Sequence, residues 1–439
     1  MRFLSTRDEH TSVSFREAVF RGLAPDGGLF HPATDLDLKS TFLELRPSVT
    51  FTEVARIMTA ALFPEELSGE QIERIVSKAF PFRPELRRLT DGVHLLELFH
   101  GPSCAFKDYG ASYLAAVMEE FLAGEDARAV ILTATSGDTG SAVAQAFHGR
   151  RNIDVVVLYP SGRVSPLQEK QLTTLGGNVH ALEVAGSFDD CQRMVKEAFL
   201  DEDLRAVMRL TSANSINLGR LIPQAFYYVY AFAKMKEHVP GELFFCVPSG
   251  NFGNLTAGVL AWKWGMPVTG FIAATNVNDV VPSYLETGVF SPRSSVRTLS
   301  NAMDVGNPSN FERLQAIFAG DVEAMRAMIA GEVVTDEETK ETIAYFREKE
   351  NVFLDPHTAA GVRAAQRFRA RHDPQVDTIV TLGTAHPGKF GEIVEEATGT
   401  RPEIPKRLAR VLDLEKQATL IANESESLKT YLLERFGGV

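Results

Sequence analysis

The chain has 439 residues, 44% of them hydrophobic and 23% charged, which describes an ordinary folded protein long enough for two or three domains. A net charge of -12 argues against a nucleic-acid partner, which needs a basic footprint, but leaves room for a small anion in a locally positive pocket. Cys104, Cys191 and Cys246 form neither a disulfide framework nor a metal-binding spacing, so no metal is expected and a reducing, cytoplasmic setting is the simpler reading.

The first residues, MRFLSTRDEH, lack a basic-then-apolar leader pattern. No uncharged apolar run approaches the ~18 residues of a membrane span, so no membrane partner is expected. Residues 1–95 read as a mainly helical region. In TEVARIMTAALF (52–63), Val54, Ile57, Met58, Ala61 and Leu62 fall on one helical stripe. LAPDGGLFHP (23–32) is rich in turn formers, with Gly27 and Gly28 after Pro-Asp.

Further along, HGPSCAFKDYGA places Lys107 and Asp108 after a small, mostly apolar run. Burial would lower the amine's pKa and favour the neutral nucleophile that forms an imine. The same lysine could instead pair with Asp108 or reach out to solvent. AVILTAT (129–135) then predicts a buried strand, and ATSGDTG follows it into a helix. IDVVVLY (153–159) predicts a strand, SPLQEKQLTTLG a helix, and VHALEV (179–184) another strand. This alternation points to an α/β protein with a largely parallel sheet.

NSINLGR (214–220) offers Asn214, Ser215 and Arg220, side chains suited to gripping an oxyanion if they converge. As a plain alternative, the segment is a capped helix with Arg220 on its wet face. PSGNFGN (248–254) repeats the strand-glycine-helix pattern, and VTGFIAAT (268–275) is the next strand. Two such glycine loops in one α/β chain favour an anionic ligand at helix N-termini over two mere turns. Neither fits a dinucleotide or nucleotide fingerprint, and the sequence has no HExxH or GxSxG motif. Residues 280–345 form an excursion beside the site. Within it, Thr335 and Glu338 have the spacing of a capping box. VDTIVTLG (376–383) predicts a late strand delivering Thr384, His386 and Lys389 of GTAHPGKF to its carboxyl end. RPEIPKRLARV (401–411) reads as a linker to a C-terminal helix at 420–435.

Together, DGGLFHP, HGPSCAFKDYGA, ATSGDTGSAVAQAF, NSINLGRLIPQAFYY, PSGNFGN, GNPSNFER, DPHTAAG and TAHPGKF resemble the threonine synthase family over residues 23 to about 395. The resemblance implies a pyridoxal 5'-phosphate enzyme of fold type II, the tryptophan-synthase-β-like fold. Two open, largely parallel α/β domains follow an N-terminal extension. The implied divisions are 1–95, then 96–240 with the cofactor lysine, then 241–400 with the phosphate cup, then 401–439. The implied activity is a lyase reaction on O-phospho-L-homoserine and water, giving L-threonine and phosphate at the last step of threonine biosynthesis, by a monomer or homodimer.

The resemblance also assigns roles. Lys107 would anchor the cofactor and carry protons, and Phe106 would flank its ring. Asp138 would lie near the 3'-hydroxyl, where many relatives have Asn. Gly250, Asn251, Phe252, Gly253 and Asn254 would cup its phosphate, and Thr384 would meet its ring nitrogen. Asn214, Ser215 and Arg220 would grip the substrate phosphate, with Ser136 and Thr139 near the substrate carboxylate. A threonine or serine dehydratase shares the lysine and the cup but not NSIN with Arg220 or TAHPGKF. A non-catalytic relative would have lost Lys107.

Overall fold

The computed structural model describes residues 1–8, 10–372 and 377–437. In the N-terminal region β1 (Phe3–Ser5) pairs antiparallel with β2 (Phe30–Pro32). Then come β3 (Glu85–Thr90), β4 (Val93–Glu97), β5 (Ala129–Ala134), β6 (Ile153–Pro160), β7 (Val179–Val184) and β8 (Leu210–Thr211). The chain continues through β9 (Leu243–Pro248), β10 (Gly270–Thr275), β11 (Ile329–Val333), β12 (Thr378–Gly383) and β13 (Thr419–Ile421).

These last eleven strands divide between two sheets. One has the order β13-β7-β6-β5-β8 and is parallel throughout. The other has the order β11-β10-β9-β12-β4-β3, parallel except for the edge strand β3. Every residue of β5, β6, β9, β10 and β12 is buried. That is why these strands read as continuous apolar runs: helices cover both faces of each sheet.

The helix Phe51–Leu62 begins with a capping box of Thr50 and Glu53. It buries Val54, Met58 and Leu62 of the expected stripe, together with Ala55 and Thr59. Ile57 and Ala61 stay partly exposed, so the buried face is rotated slightly from the expected one. Thr335 and Glu338 form their capping box at the start of the helix Asp336–Glu350. One continuous core joins the N-terminal phenylalanines to the helices Lys107–Phe121 and Gln224–Met235 and to residues of both sheets. Among the described residues no helix is long and apolar enough to cross a membrane.

Two segments fold differently from their sequence reading. A boundary at 95 cuts through β4, and the β3–β4 hairpin belongs to the six-stranded sheet rather than to a helical N-terminal region. Residues 420–435 are not one helix. β13 extends the five-stranded sheet beside β7, and the helix Ser425–Phe436 follows it. Leu428, Leu432 and Phe436 of that helix pack on Cys191, Met194 and Val195. The C-terminal segment therefore completes the smaller sheet's core, a long-range pairing that local apolar periodicity does not encode. Val376 of the expected late strand lies outside the described residues.

Candidate active site

Lys107 is the first residue of the helix Lys107–Phe121, at the end of a tightly held loop. The Phe106 amide donates to the Thr384 carbonyl at 2.8 Å, and the His386 amide donates to the Cys104 carbonyl at 3.1 Å. These bonds, with an Ala105–Ala385 bridge, stitch the lysine loop to the loop after β12. Asp108 does not pair with Lys107. Its buried carboxylate accepts the Ser103 amide at 2.9 Å and so fixes the preceding turn. Burial pushes Asp108 up to about 6, opposed by that bond and by Lys389. His386 accepts the Gly388 amide at 3.1 Å, and burial together with Arg407 drives it down to about 4. It is a neutral cap.

The loop after β5 opens the helix Asp138–Phe147. Thr135 Oγ1 accepts the amides of Gly137 at 3.0 Å and Gly140 at 2.8 Å, which shapes this turn. Asp138 is buried and bonds Lys389 Nζ at 2.6 Å and Gln168 Nε2 at 2.9 Å. Lys389 Nζ also donates to the Ser103 carbonyl at 2.9 Å. Burial opposes ionisation of Asp138, but the charges of Lys389 and Lys107 and these hydrogen bonds outweigh it and hold the carboxyl well below the usual carboxylate range. Burial lowers Lys107 to about 8, with Asp138 pulling the other way. Lys389 and Gln168 were within motifs legible in the sequence, TAHPGKF and SPLQEKQ, but only the fold shows that they meet Asp138.

Across the cavity, Phe252 adopts a left-handed conformation (φ 60°) and caps the helix Gly253–Lys263. The first-turn amides of that helix have no carbonyl partners inside it and are free for a ligand. Gly250 passes close to the following excursion: a Cβ there would lie 2.7 Å from the Ala302 carbonyl oxygen and from Met303 Cα. Asn251 is a clamp. Its amide donates to Ser215 Oγ at 3.0 Å and accepts the Ser309 amide at 2.6 Å. The phenols of Tyr227 and Tyr228 both donate to Asn254 Oδ1, at 2.5 and 2.9 Å.

Arg220 is buried and donates to the Ala213 carbonyl, with no carboxylate partner among the described residues. Burial lowers it to about 10, partly offset by Asp108, so it stays charged at neutral pH. Sequence reasoning missed Arg313. That buried guanidinium donates to the carbonyls of Phe30 at 2.8 Å and Ser215 at 3.0 Å, and to Ile216. It ties the DGGLF turn to the NSIN loop.

A cavity of about 1120 Å³ joins these parts. Lys107, Phe106, Ser136, Asp138, Thr139, Asn214, Ser215, Arg220, the Gly250–Asn254 loop and Thr384 all line it. Thr384 Oγ1, Asn254 Nδ2 and Asn214 Oδ1 are buried without hydrogen-bond partners among the described residues. Orphaned polar groups converging on one cavity fit a polar ligand. They suit pyridoxal 5'-phosphate: an amine for its aldehyde, an amide cup for its phosphate and a hydroxyl for its ring nitrogen.

Residues 84–385 match the family described as pyridoxal-phosphate dependent enzyme. Residues 2–80 match threonine synthase N terminus, and residues 358–432 match threonine synthase, C-terminal. The chain is 41% identical to the threonine synthase of Serratia marcescens over 99% of each chain. It is 42% identical to that of Escherichia coli K12 over 94% of this chain and 95% of the relative. The crystal structure of threonine synthase from Brucella melitensis with pyridoxal phosphate bound superposes with a TM-score of 0.91 at 36% identity, covering 99% of both chains.

Proposed function

The chain belongs to the threonine synthase family of fold type II pyridoxal-phosphate enzymes, and on that premise we propose that the Lys107 cavity binds O-phospho-L-homoserine with Arg220 as its phosphate anchor. The reaction is that of the family, a lyase step taking O-phospho-L-homoserine and water to L-threonine and phosphate. One observation carries the site assignment: Arg220, a buried guanidinium without a carboxylate, opens into the same cavity as Lys107. A buried unpaired charge is costly, and a phosphate dianion is the partner that would relieve it.

Bound pyridoxal phosphate supplies an electron sink that makes protons on the neighbouring substrate carbons acidic. Lys107 would hold it covalently, with Phe106 beside the ring, and once displaced by the substrate amine would move protons at Cα. The amides of the Gly250–Asn254 loop and the helix it opens would hold the cofactor phosphate. Thr384 would donate or accept at the ring nitrogen without fixing a full positive charge there, as a carboxylate would. Asp138, kept ionised by Lys389, would accept a hydrogen bond at the ring's oxygen side. Arg220, with the hydroxyl of Ser215 and the amide of Asn214, would hold the phosphate as it leaves Cγ. Ser136 and Thr139 would meet the substrate carboxylate. The three cysteines are free and buried, which supports a reducing cytoplasmic setting.

The cofactor-loaded chain should release phosphate and L-threonine in equal amounts from O-phospho-L-homoserine, and Arg220→Ala should raise KM by about tenfold or more. Conversion of L-threonine to an oxoacid with no release of phosphate would favour a dehydratase instead.

A further inference from the structure

The excursion between β10 and β11 passes along the cavity as an exposed strap without regular structure, residues 291–297. Its backbone is held in an unusual way. Asn278, itself 6% exposed, accepts the Val296 amide at 2.7 Å and donates to the Val296 carbonyl at 2.9 Å. Its side chain thus imitates a neighbouring strand for one residue. Asn276, 1% exposed, supports the next turn through Thr298 Oγ1 at 2.8 Å and Asp304 at 2.9 Å. Asp304 in turn accepts the Thr298 amide at 3.0 Å. On the other side, the Arg293 amide donates to the Gly306 carbonyl at 3.0 Å, in a contact so close that only glycine fits at 306.

Buried amides holding an exposed segment fix what it displays, and between Val296 and Thr298 it displays Arg297. This arginine lines the cavity, is exposed, and has no hydrogen bond or ion pair among the described residues. Its neighbour Arg293 is neutralised by Asp279. From the other sheet, the turn after β6 brings Arg163 to the same cavity, again exposed and without a side-chain partner among the described residues. Against these two cations stand two lining carboxylates without an ion pair among the described residues, exposed Asp189 and Asp304, which is held by the neutral donors Thr298 and Asn276. Asp138 is paired with Lys389. The molecule as a whole carries a net charge of -12, so a cavity where the arginines without an ion pair among the described residues, Arg163, Arg220 and Arg297, outnumber the unpaired carboxylates is a local exception.

We infer that Arg297 and Arg163 form an anion-collecting site at the mouth of the cavity, ahead of Arg220 at its floor, which draws the phosphorylated substrate into a negatively charged protein. This rests on the phosphohomoserine reading given above. Charges on a cleft's rim raise the local concentration of an oppositely charged ligand, an effect that fades as salt shortens the screening distance.

The test uses the cofactor-loaded enzyme with R297Q, R163Q, the double variant and R151Q. Arg151 is exposed at the opposite end of β6, outside the cavity, and serves as the net-charge control. At about 0.01 M salt, where screening reaches about 30 Å, each rim variant should lower kcat/KM for O-phospho-L-homoserine about three- to tenfold. The loss should appear in KM with kcat unchanged. By about 0.3 M salt the loss should largely vanish, and the double variant should have lost most of the parent's salt dependence. Unchanged KM and salt dependence in the double variant, or an equal loss in R151Q, would overturn the inference. Calorimetric titration with inorganic phosphate tests it without turnover: the double variant should bind at least threefold more weakly at low salt, and equal affinity counts against the rim. Absence of phosphate release by the parent enzyme would instead refute the functional reading, leaving the phosphate titration to decide on the rim.

Discussion

At the scale of single residues, two lysines face Asp138, Lys389 buried and Lys107 partly so, and they differ by their partners. Lys389 has an ion pair with Asp138 and a carbonyl to satisfy it. Lys107 has neither among the described residues, and burial lowers it to about 8. Its neutral form therefore grows as pH rises through about 8, not through the usual 10.5. Capture of added pyridoxal phosphate by the chain stripped of its cofactor should accelerate with pH, reach half its plateau near pH 8 and level off above it. Stopped-flow absorbance measures this, and a rate still climbing beyond about pH 10, the ordinary lysine range, would reject it. FKD, NSIN and TAHPGKF were legible in the sequence because each is a local motif. That Asp108 pins Ser103, that Asp138 meets Lys389 and that Arg313 joins Phe30 to Ser215 was not. Those contacts are set by the packing of distant segments, which no local spacing records.

At the scale of elements, strands covered on both faces announced themselves through unbroken apolar runs, and the helix Asp336–Glu350 through its capping box. Short elements whose existence depends on a neighbour did not. β13 has three residues, all at least partly exposed, and is a strand because β7 lies beside it. The strap at 291–297 has no regular structure, and its order comes from Asn276 and Asn278 beneath it. The Gly250–Asn254 loop, proposed above as the phosphate cup, shows the same dependence. Gly250 has an ordinary backbone conformation, and what demands glycine there is the proximity of Ala302 and Met303. Gly250→Ala should push these two segments apart and tilt the cup. The variant should fold but lose pyridoxal phosphate on dialysis about tenfold more readily, a cost of about 1.4 kcal/mol within the range for overpacking. Cofactor absorbance retained as in the parent would refute the close-approach argument.

At the scale of the whole molecule, the chain crosses between its two sheets more often than a linear division allows. β3 and β4 enter the six-stranded sheet before the five-stranded sheet begins, and β13 returns to the five-stranded sheet after the six-stranded one is complete. Ending the chain at Asn423 should therefore damage the smaller sheet and not merely trim a tail. Without Leu428, Leu432 and Phe436, Cys191 should react with a thiol reagent under native conditions, while Cys246 inside β9 stays protected. Unaltered protection of Cys191 would show that the helix Ser425–Phe436 is dispensable. The same crossing has a consequence for synthesis. Lys389 bonds the lysine loop across 286 positions, so on the assignment proposed above a chain growing on the ribosome would expose Lys107 long before the Gly250–Asn254 loop, the Thr384 hydroxyl and Lys389. Pyridoxal phosphate would then be held only when nearly the whole polypeptide has emerged, and by binding the finished form alone it would act as the last lock on folding.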